Sequence, residues 1–265
     1  DGTLETVMAL SRADIQSFAK TRLVKSRLVV SVVGAIDEAT LVRLVDQAFA
    51  GLPEGEPWTG AAQPLGDEPG FEIVRMDIPQ SVVYFGLPGL KRDHPDYIPA
   101  FVMSHILGGG VFTSRLGLEV REKRGLAYGI SMRLTPYQRA GIMIGRVGTR
   151  NDAVAETLTI VRDEIRKMAA QGVTEEELEA AKTYLTGAFP LRFDTQARIA
   201  GQLLGLQLYG IDKDYFNRRN ALIEAVTLDD VNRMARQLLD TTKFRIALVG
   251  NPDPKPGGVH TPTAE

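Results

Sequence analysis

An internal repeat constrains the fold of this chain more than any other feature of its sequence. Residues 11–37 (SRADIQSFAKTRLVKSRLVVSVVGAID) match residues 227–253 (TLDDVNRMARQLLDTTKFRIALVGNPD) at a constant offset of 216 positions without a gap. Each copy predicts a helix with Ser11 or Thr227 at its N-cap, then a short turn, then an apolar strand closed by glycine. We therefore expect one complete structural unit of about 216 residues, the offset between the copies, preceded by the closing fragment of a related unit.

The repeat divides the chain into four predicted segments. Residues 1–51 are expected to be the closing helix–strand–helix fragment of a preceding homologous domain, whose front part lies upstream. Residues 52–70 combine proline, glycine and polar residues, as interdomain linkers do, although a long surface loop is the alternative interpretation. Residues 71–252 form the second domain. Residues 253–265 predict a flexible tail, because their apolar content is too low to offset the entropy of ordering.

Composition excludes several classes of protein. The net charge of -2 gives no general attraction to nucleic acid or to an anionic membrane. No stretch approaches the roughly 18 consecutive apolar residues that a membrane-spanning helix needs. The chain has no cysteine, and so no disulfide, thiolate nucleophile or cysteine-ligated metal site. We expect neither a nucleic-acid partner nor a membrane span.

The order of predicted elements indicates an α+β fold. Strands are predicted mainly in antiparallel pairs, with helices grouped between them, which favours a mostly antiparallel sheet packed against helices over a doubly wound parallel sheet. From Leu126 the apolar residues alternate, which predicts a strand that carries Tyr128 on its apolar face. Gly125 is predicted to end the helix before that strand, and Thr174 with Glu177 forms a capping box at the start of a later helix.

The residues alone show no complete catalytic set. His94, His105 and His260 include no pair at metal-ligand spacing on one helix. The glycines at 108–110 lack the P-loop ending and favour a flexible helix terminus, and the glutamates at 175–177 and 179 favour a solvated first helical turn. Taken by themselves, Arg121 is most simply a surface residue and Tyr128 a core aromatic.

Two stretches carry a resemblance to a known family. LGGG at residues 107–110 and SRLGLEVREKRGLAYGISM at residues 114–132, followed by the closing repeat copy, resemble the second domain of the insulinase, pitrilysin and mitochondrial-processing-peptidase family of zinc metallopeptidases. The resemblance implies a half-clamshell domain that faces a homologous catalytic domain around a peptide. The family's catalytic domain carries an inverted zinc motif, His-x-x-Glu-His.

This chain departs from that motif. The corresponding residues, FVMSH at 101–105, place Phe101 where the first histidine stands and Ser104 where the glutamate stands, and keep only His105. The resemblance therefore implies a proteolytically inert domain that binds no cofactor itself, with zinc on the partner domain.

The family's inactive domain contributes an arginine and a tyrosine to the substrate, and Arg121 and Tyr128 match their spacing of seven positions. A guanidinium and a phenol can bind the scissile carbonyl and stabilise the oxyanion. Arg124 is the competing arginine, and its place in the last helical turn favours a capping or surface role. The nearby sheet edge is a second candidate contact, because an extended peptide can add to it as a strand.

The resemblance thus implies a non-catalytic domain or subunit of a zinc metalloendopeptidase, with a homologous catalytic domain or subunit and a peptide substrate as its partners. Bacterial members of this kind often act in the cell envelope as separate subunits, so a periplasmic location is expected, with the cytoplasm as the alternative. The rival hypothesis is a structural or assembly protein of the same fold, like the core proteins of respiratory complexes. An independent hydrolase that uses carboxylates has no paired-carboxylate signal behind it.

Overall fold

The computed structural model describes residues 2–57, 66, 68–110 and 112–253. Residues 58–65 and 67 of the predicted linker, and residues 254–265 of the predicted tail, lie outside this part of the chain. The chain folds as two compact units. The first unit comprises Asp1–Ala61 and Leu191–Lys213, and the second comprises Ala62–Pro190 and Asp214–Glu265.

A five-stranded sheet forms the centre of the second unit, as far as the structure describes it. In spatial order it runs β1, β5, β2, β4, β3, and only the β1–β5 pair is parallel. The α+β class with a mostly antiparallel sheet is therefore confirmed. The strands are β1 (Gly70–Arg75), β2 (Gln80–Pro88), β3 (Ile130–Pro136), β4 (Gly141–Arg150) and β5 (Arg245–Gly250).

Helices account for most of the remaining secondary structure. No helix in the described ranges is both long enough and apolar enough to span a membrane. In chain order the α-helices are α1 (Leu4–Met8), α2 (Arg12–Arg22), α3 (Glu38–Phe49), α4 (Tyr97–Ser104), α5 (Val154–Gln171), α6 (Glu175–Gly187), α7 (Gln196–Leu208), α8 (Tyr215–Glu224) and α9 (Leu228–Leu238).

One face of the sheet supplies the core of the second unit. Alternate strand residues point to opposite faces, so each strand buries every second side chain against the helices and presents the others on the opposite face. We call that opposite face the outer face of the sheet. The largest contributions to the core come from Phe85, Leu87, Met103, Met132, Met143, Ile165, Met168 and Met234.

The two copies of the repeat start in the same way. In α2 the backbone N–H of Ser11 donates to the Asp14 carboxylate at 2.9 Å, and the N–H of Asp14 donates back to Ser11 Oγ at 3.2 Å. In α9 the corresponding exchange joins Thr227 and Asp230, at 3.1 Å in each direction. The predicted N-caps are confirmed, and both are reciprocal capping boxes.

The copies differ where the strand is expected. Each helix is followed by a single turn of 3₁₀ helix, Lys25–Arg27 in the first copy and Thr241–Lys243 in the second. The second copy then enters β5, whereas residues 28–34 of the first copy belong to no strand of the described chain. Strand formation requires a neighbouring strand to satisfy the backbone N–H and C=O groups, and within the described residues only the second copy has one.

A glycine reverses the chain between the two candidate substrate-binding residues. Gly125 has φ +61°, in the left-handed region, and its N–H donates to the carbonyl of Arg121 at 3.0 Å. The N–H of Leu126 donates to the carbonyl of Val120 at 2.9 Å, which completes the helix end. The predicted glycine C-cap is confirmed.

Replacing Gly125 with alanine should lower the free energy of unfolding by about 1 kcal/mol, because an L-residue is strained in this conformation. A Cβ at Gly125 would meet no atom within 4 Å, so the loss would come from the backbone alone. Gly129→Ala is the matched control, since that site is equally open and has no positive φ. Urea denaturation would measure both variants, and equal losses would contradict the assignment.

Candidate functional site

The segment that carries Arg121 is a turn of π-helix, Gly117–Glu122. Its start is fixed by Ser114, whose Oγ donates to the carbonyl of Gly110 at 2.5 Å and accepts from the N–H of Gly117 at 3.2 Å. Leu116 and Val120 are fully buried, as their helical spacing predicts. These contacts hold the segment between the glycine-rich stretch before it and the Gly125 reversal after it.

An ion pair fastens this segment to α6. Arg115 Nε lies 2.6 Å from Glu177 Oε1, and its Nη2 lies 2.7 Å from Glu177 Oε2 and 2.9 Å from the carbonyl oxygen of Gly172. Burial acts to raise the pKa of Glu177, but the hydrogen bonds from Arg115 and from the N–H of Thr174 outweigh it and hold that pKa below its usual value. The predicted capping box is confirmed, and Glu177 is more than a solvated helix-start residue.

The structure corrects the sequence interpretation of Tyr128. Strand β3 begins at Ile130, so Tyr128 lies in the connection that follows Gly125 rather than on the apolar face of the strand. Its side chain is 91% exposed, whereas Leu126, two positions earlier, is buried. An aromatic ring this exposed contributes little to the core, so the interpretation of Tyr128 as a core residue is wrong.

The guanidinium of Arg121 contacts two aromatic rings. Its guanidinium carbon is 4.2 Å from the ring centroid of Phe112 and 5.2 Å from that of Tyr128. Both distances are within the range of a cation–π contact. Its Nε is 3.6 Å from a carboxylate oxygen of Glu122. The rings fix the plane of the guanidinium and leave its N–H groups to face other partners.

One of those groups is an unused donor. Nη1 of Arg121 is buried and has no hydrogen-bond partner among the residues that the structure describes. A buried donor without an acceptor costs roughly 1–3 kcal/mol, and it regains that energy when an acceptor arrives. Nη1 of Arg121 is thus a donor that can bind an oxygen atom, as is the similarly buried Nη1 of Arg115.

The competing arginine is engaged elsewhere. Arg124 donates to the Glu119 carboxylate and, at 2.9 Å, to the Glu119 carbonyl, while Lys123 Nζ lies 2.5 Å from the same carboxylate. The hydrogen bonds from Lys123 and Arg124 hold the pKa of Glu119 below its usual value. The helix-end role that the sequence predicts for Arg124 agrees with these contacts.

The three degenerate zinc-motif positions are used in packing. Phe101 stacks on Tyr97, with ring centroids 6.2 Å apart. Ser104 Oγ donates to the carbonyl of Phe101 at 3.2 Å and accepts from the N–H of Leu134, in β3, at 3.2 Å. His105 stacks on Tyr184 with centroids 5.0 Å apart. A single imidazole held against a ring, beside a phenyl and a hydroxyl, does not provide the three ligands of a catalytic zinc site.

Other candidate ligands do not supply a site either. His94 Nδ1 accepts a hydrogen bond from the N–H of Asp96 at 3.0 Å, and His260 lies outside the described residues. Across residues 2–57, 66, 68–110 and 112–253, no group of three His, Cys, Asp or Glu side chains is arranged to hold a metal ion. No step of a reaction is therefore assigned to a metal on this chain.

The glycine-rich stretch has a packing role that its sequence did not reveal. Residues His105–Gly109 form another turn of π-helix, which precedes the one that carries Arg121. A Cβ at Gly108 would lie 2.5 Å from the backbone nitrogen of Met132, so only glycine lets this turn contact β3 so closely. The stretch is a packed helix end rather than a flexible one.

Sequence reasoning also missed Phe112. Its ring is 58% exposed and contacts the Arg121 guanidinium, although nine positions separate the two residues. A large aromatic side chain two positions after the glycines of a helix end, where polar loop residues are usual, was the available signal.

The second unit is thus an α+β layer that carries an arginine–aromatic cluster at Arg121 and has no group of metal ligands in the described residues. A family model described as "Peptidase M16 inactive domain" matches residues 9–185. The chain belongs to this family, as the inactive domain of M16 peptidases, and the resemblance inferred from the sequence is confirmed.

Individual relatives agree with this assignment. The chain is 32% identical over 247 residues to an uncharacterized zinc protease of Streptomyces coelicolor. The aligned region covers 90% of this chain and 53% of the relative. It is 26% identical over 252 residues to the non-peptidase homolog YmxG of Helicobacter pylori, covering 94% of this chain and 58% of that one. The crystal structure of a peptidase M16 inactive domain from Pseudomonas fluorescens superposes with a TM-score of 0.87 at 27% identity, covering 98% and 62% of the two chains. The chain thus spans little more than half the length of these relatives.

The environment of His105 predicts a pH-dependent stability. Burial, followed by the charge of Arg133, lowers the pKa of His105 below its ordinary value of 6.5. Because the pKa is lower in the folded state, the neutral form of His105 favours folding. Its contribution to the free energy of unfolding is complete above pH 6.5 and is lost as the pH falls through 6.5 towards the folded-state pKa. Between pH 7.5 and 5.5 the melting temperature of wild type should therefore fall more than that of His105→Phe. Thermal unfolding followed by circular dichroism would measure this, and equal falls would contradict it.

Proposed function

We propose that this chain is a non-catalytic domain or subunit of a zinc metalloendopeptidase, and that it binds the peptide substrate through Arg121 and Tyr128. The observation that carries the proposal is Nη1 of Arg121, which is buried and has no partner among the described residues, on a guanidinium that contacts the Phe112 and Tyr128 rings. Cleavage takes place on a homologous catalytic domain or subunit, which carries the zinc. The names of the zinc-protease relatives support the same class of activity.

The chemistry of the pair fits a carbonyl oxygen that gains negative charge. Arg121 offers a permanent charge and N–H donors whose direction the aromatic contacts restrict, and Tyr128 offers one hydroxyl donor on an exposed ring. Donors fixed before the reaction stabilise developing charge without reorganisation. Phe112 acts through Arg121 as a positioning residue.

Removing either donor should slow cleavage by the assembled enzyme. We expect Arg121→Ala and Tyr128→Phe each to lower kcat/KM for a peptide by about 100-fold, since loss of one oxyanion donor costs roughly 100- to 1,000-fold. Arg121→Lys should recover only part of the loss, because an ammonium lacks the planar fork. Steady-state kinetics with a quenched fluorescent peptide would measure these changes.

Arg124→Ala is the matched control, because it removes an arginine of the same segment whose partner is Glu119. It should leave kcat/KM within about twofold of wild type. Unchanged turnover in both Arg121→Ala and Tyr128→Phe would show that these two residues have only a structural role. An assembled protein that cleaves no peptide would favour the rival function, a structural or assembly protein. The name of the Helicobacter relative, a non-peptidase homolog, supports that rival.

We also propose that residues 1–51 close a preceding homologous domain. The support comes from the repeat: Ile15 and Phe18 of α2 are 60% and 64% exposed, whereas their counterparts in α9, Val231 and Met234, are 0% and 1% exposed. The same amphipathic helix is thus covered in the second copy and uncovered in the first. A sheet and helices like those around α9 would cover Ile15 and Phe18.

Polar substitutions distinguish the two helices. The double variant Ile15→Ser/Phe18→Ser should reduce binding of a hydrophobic dye by the chain and leave its melting temperature within about 2 °C of wild type, since these side chains are already exposed. Val231→Ser/Met234→Ser should lower the melting temperature by more than 10 °C, because it places hydroxyls in the core. Similar destabilisation by both pairs would show that Ile15 and Phe18 belong to the core of this chain and would overturn the proposal.

The compartment stays a prediction. We propose the periplasm or cell envelope, on the family resemblance alone. Fractionation of cells that express the tagged full-length protein would test it.

A further inference from the structure

The outer face of the sheet contains a depression whose position follows from the strand register. Gly86 of β2 is paired with Ile144 of β4 on one side and with Arg245 of β5 on the other. The next outer-face residue of β2, Tyr84, is paired with Ala247 of β5. A residue without a side chain therefore lies among larger neighbours on the same face.

The depression is a cavity of about 370 Å³. Its walls are mainly apolar and include Tyr84, Pro88, Ile142, Ile144 and Ala247. Gly86 forms the floor and has no side chain to fill the cavity. A Cβ at this position would lie 2.9 Å from the carbonyl oxygen of Met143 in the neighbouring strand, which is too close. The volume is near the lower end of the range of about 300–1,000 Å³ typical of small-ligand sites. It suits one amino-acid residue better than a folded partner.

Among the described residues that line the cavity, basic side chains outnumber acidic ones. Lys243 and Arg245 line it together with one carboxylate, Glu72. Arg245 is oriented by a hydrogen bond from its Nε to the carbonyl of Glu68 at 2.9 Å. The cationic excess beside an apolar cavity complements an apolar group that carries a carboxylate.

We propose that this cavity binds the C-terminal residue of a peptide, with its apolar side chain against Tyr84 and Ile144 and its carboxylate at Arg245. The last residue of a peptide has both features, because its free carboxylate lies next to its side chain and the two together are of this size. Glu72 disfavours a ligand with further negative charge. The site is separate from the proposed contribution of Arg121 and Tyr128, and binding to it requires neither cleavage nor a partner chain.

Isothermal titration calorimetry with the whole chain tests the proposal directly. The probes are acetyl-Ala-Ala-Phe with a free carboxylate, the same peptide as its C-terminal amide, and acetyl-Ala-Ala-Ser with a free carboxylate. The free-acid phenylalanine peptide should bind at least tenfold more tightly than either of the others. Equal affinity for the acid and the amide would overturn the role of the carboxylate, and with it the proposal.

Two variants locate the binding. Ala247→Trp fills the cavity from an exposed strand position and should abolish binding, whereas Arg245→Gln should lower the affinity for the acid about tenfold and leave that for the amide unchanged. Val74→Trp is the matched control, because Val74 is an exposed outer-face residue that does not line the cavity. Circular dichroism establishes that each variant is folded.

Other outcomes contradict the proposal in distinguishable ways. Undiminished binding by Ala247→Trp would place the peptide elsewhere, and loss of binding in Arg121→Ala would place it at the Arg121 cluster. Concentration-dependent dimers in sedimentation velocity that Ala247→Trp disrupts would identify a second copy as the occupant. A failure of Arg121→Ala to affect cleavage would count against the proposed function and would leave this binding measurement unaffected.

Discussion

The bidentate ion pair between Arg115 and Glu177 is the interaction on which the candidate site depends. It joins the segment that carries Arg121 to the first turn of α6, through two bonds of 2.6 and 2.7 Å to one carboxylate. A guanidinium bound to a carboxylate in this way has a defined plane as well as a defined position. Because Arg115 also donates to the carbonyl of Gly172 at the end of α5, one side chain connects two helices to the segment. The segment that carries Arg121 is therefore tied to α5 and α6 as well as to the loops beside it.

The two faces of the sheet differ in composition in the second unit. The inner face is mainly apolar and packs against helices, and its buried hydroxyls on Ser81 and Thr149 are hydrogen-bonded. The outer face combines Tyr84 and Ile144 with the charged Glu72 and Arg245, a mixture that folding does not require. The placement of Gly86 in the centre of that face is what turns it into a cavity.

Local rules predicted much of this structure, and long-range contacts account for the rest. The capping boxes at Ser11, Thr174 and Thr227 and the glycine end at Gly125 depend on residues within a few positions of each other, and all were readable from the sequence. The start of β3 was not, because the apolar alternation continues through Tyr128 although strand pairing begins only at Ile130. Pairing depends on where β4 lies, which no local pattern contains.

The same distinction explains the candidate site. The spacing of Arg121 and Tyr128 drew attention to them, but the contacts that give the pair its chemistry come from Phe112 and Glu122 and from the absence of an acceptor for Nη1 among the described residues. A sequence pattern can show which donors are available and cannot show which of them are already satisfied.

The repeat shows most directly what a sequence can and cannot determine. The helices α2 and α9 share their cap, their length of 11 residues and the turn that follows, so these features are local properties of the sequence. Ile15 and Val231 nevertheless differ completely in exposure. Burial belongs to the neighbours that a helix meets, and an amphipathic helix without them keeps its shape but loses most of its contribution to stability. The same sequence pattern therefore accompanies a buried helix in the second copy and an exposed helix in the first.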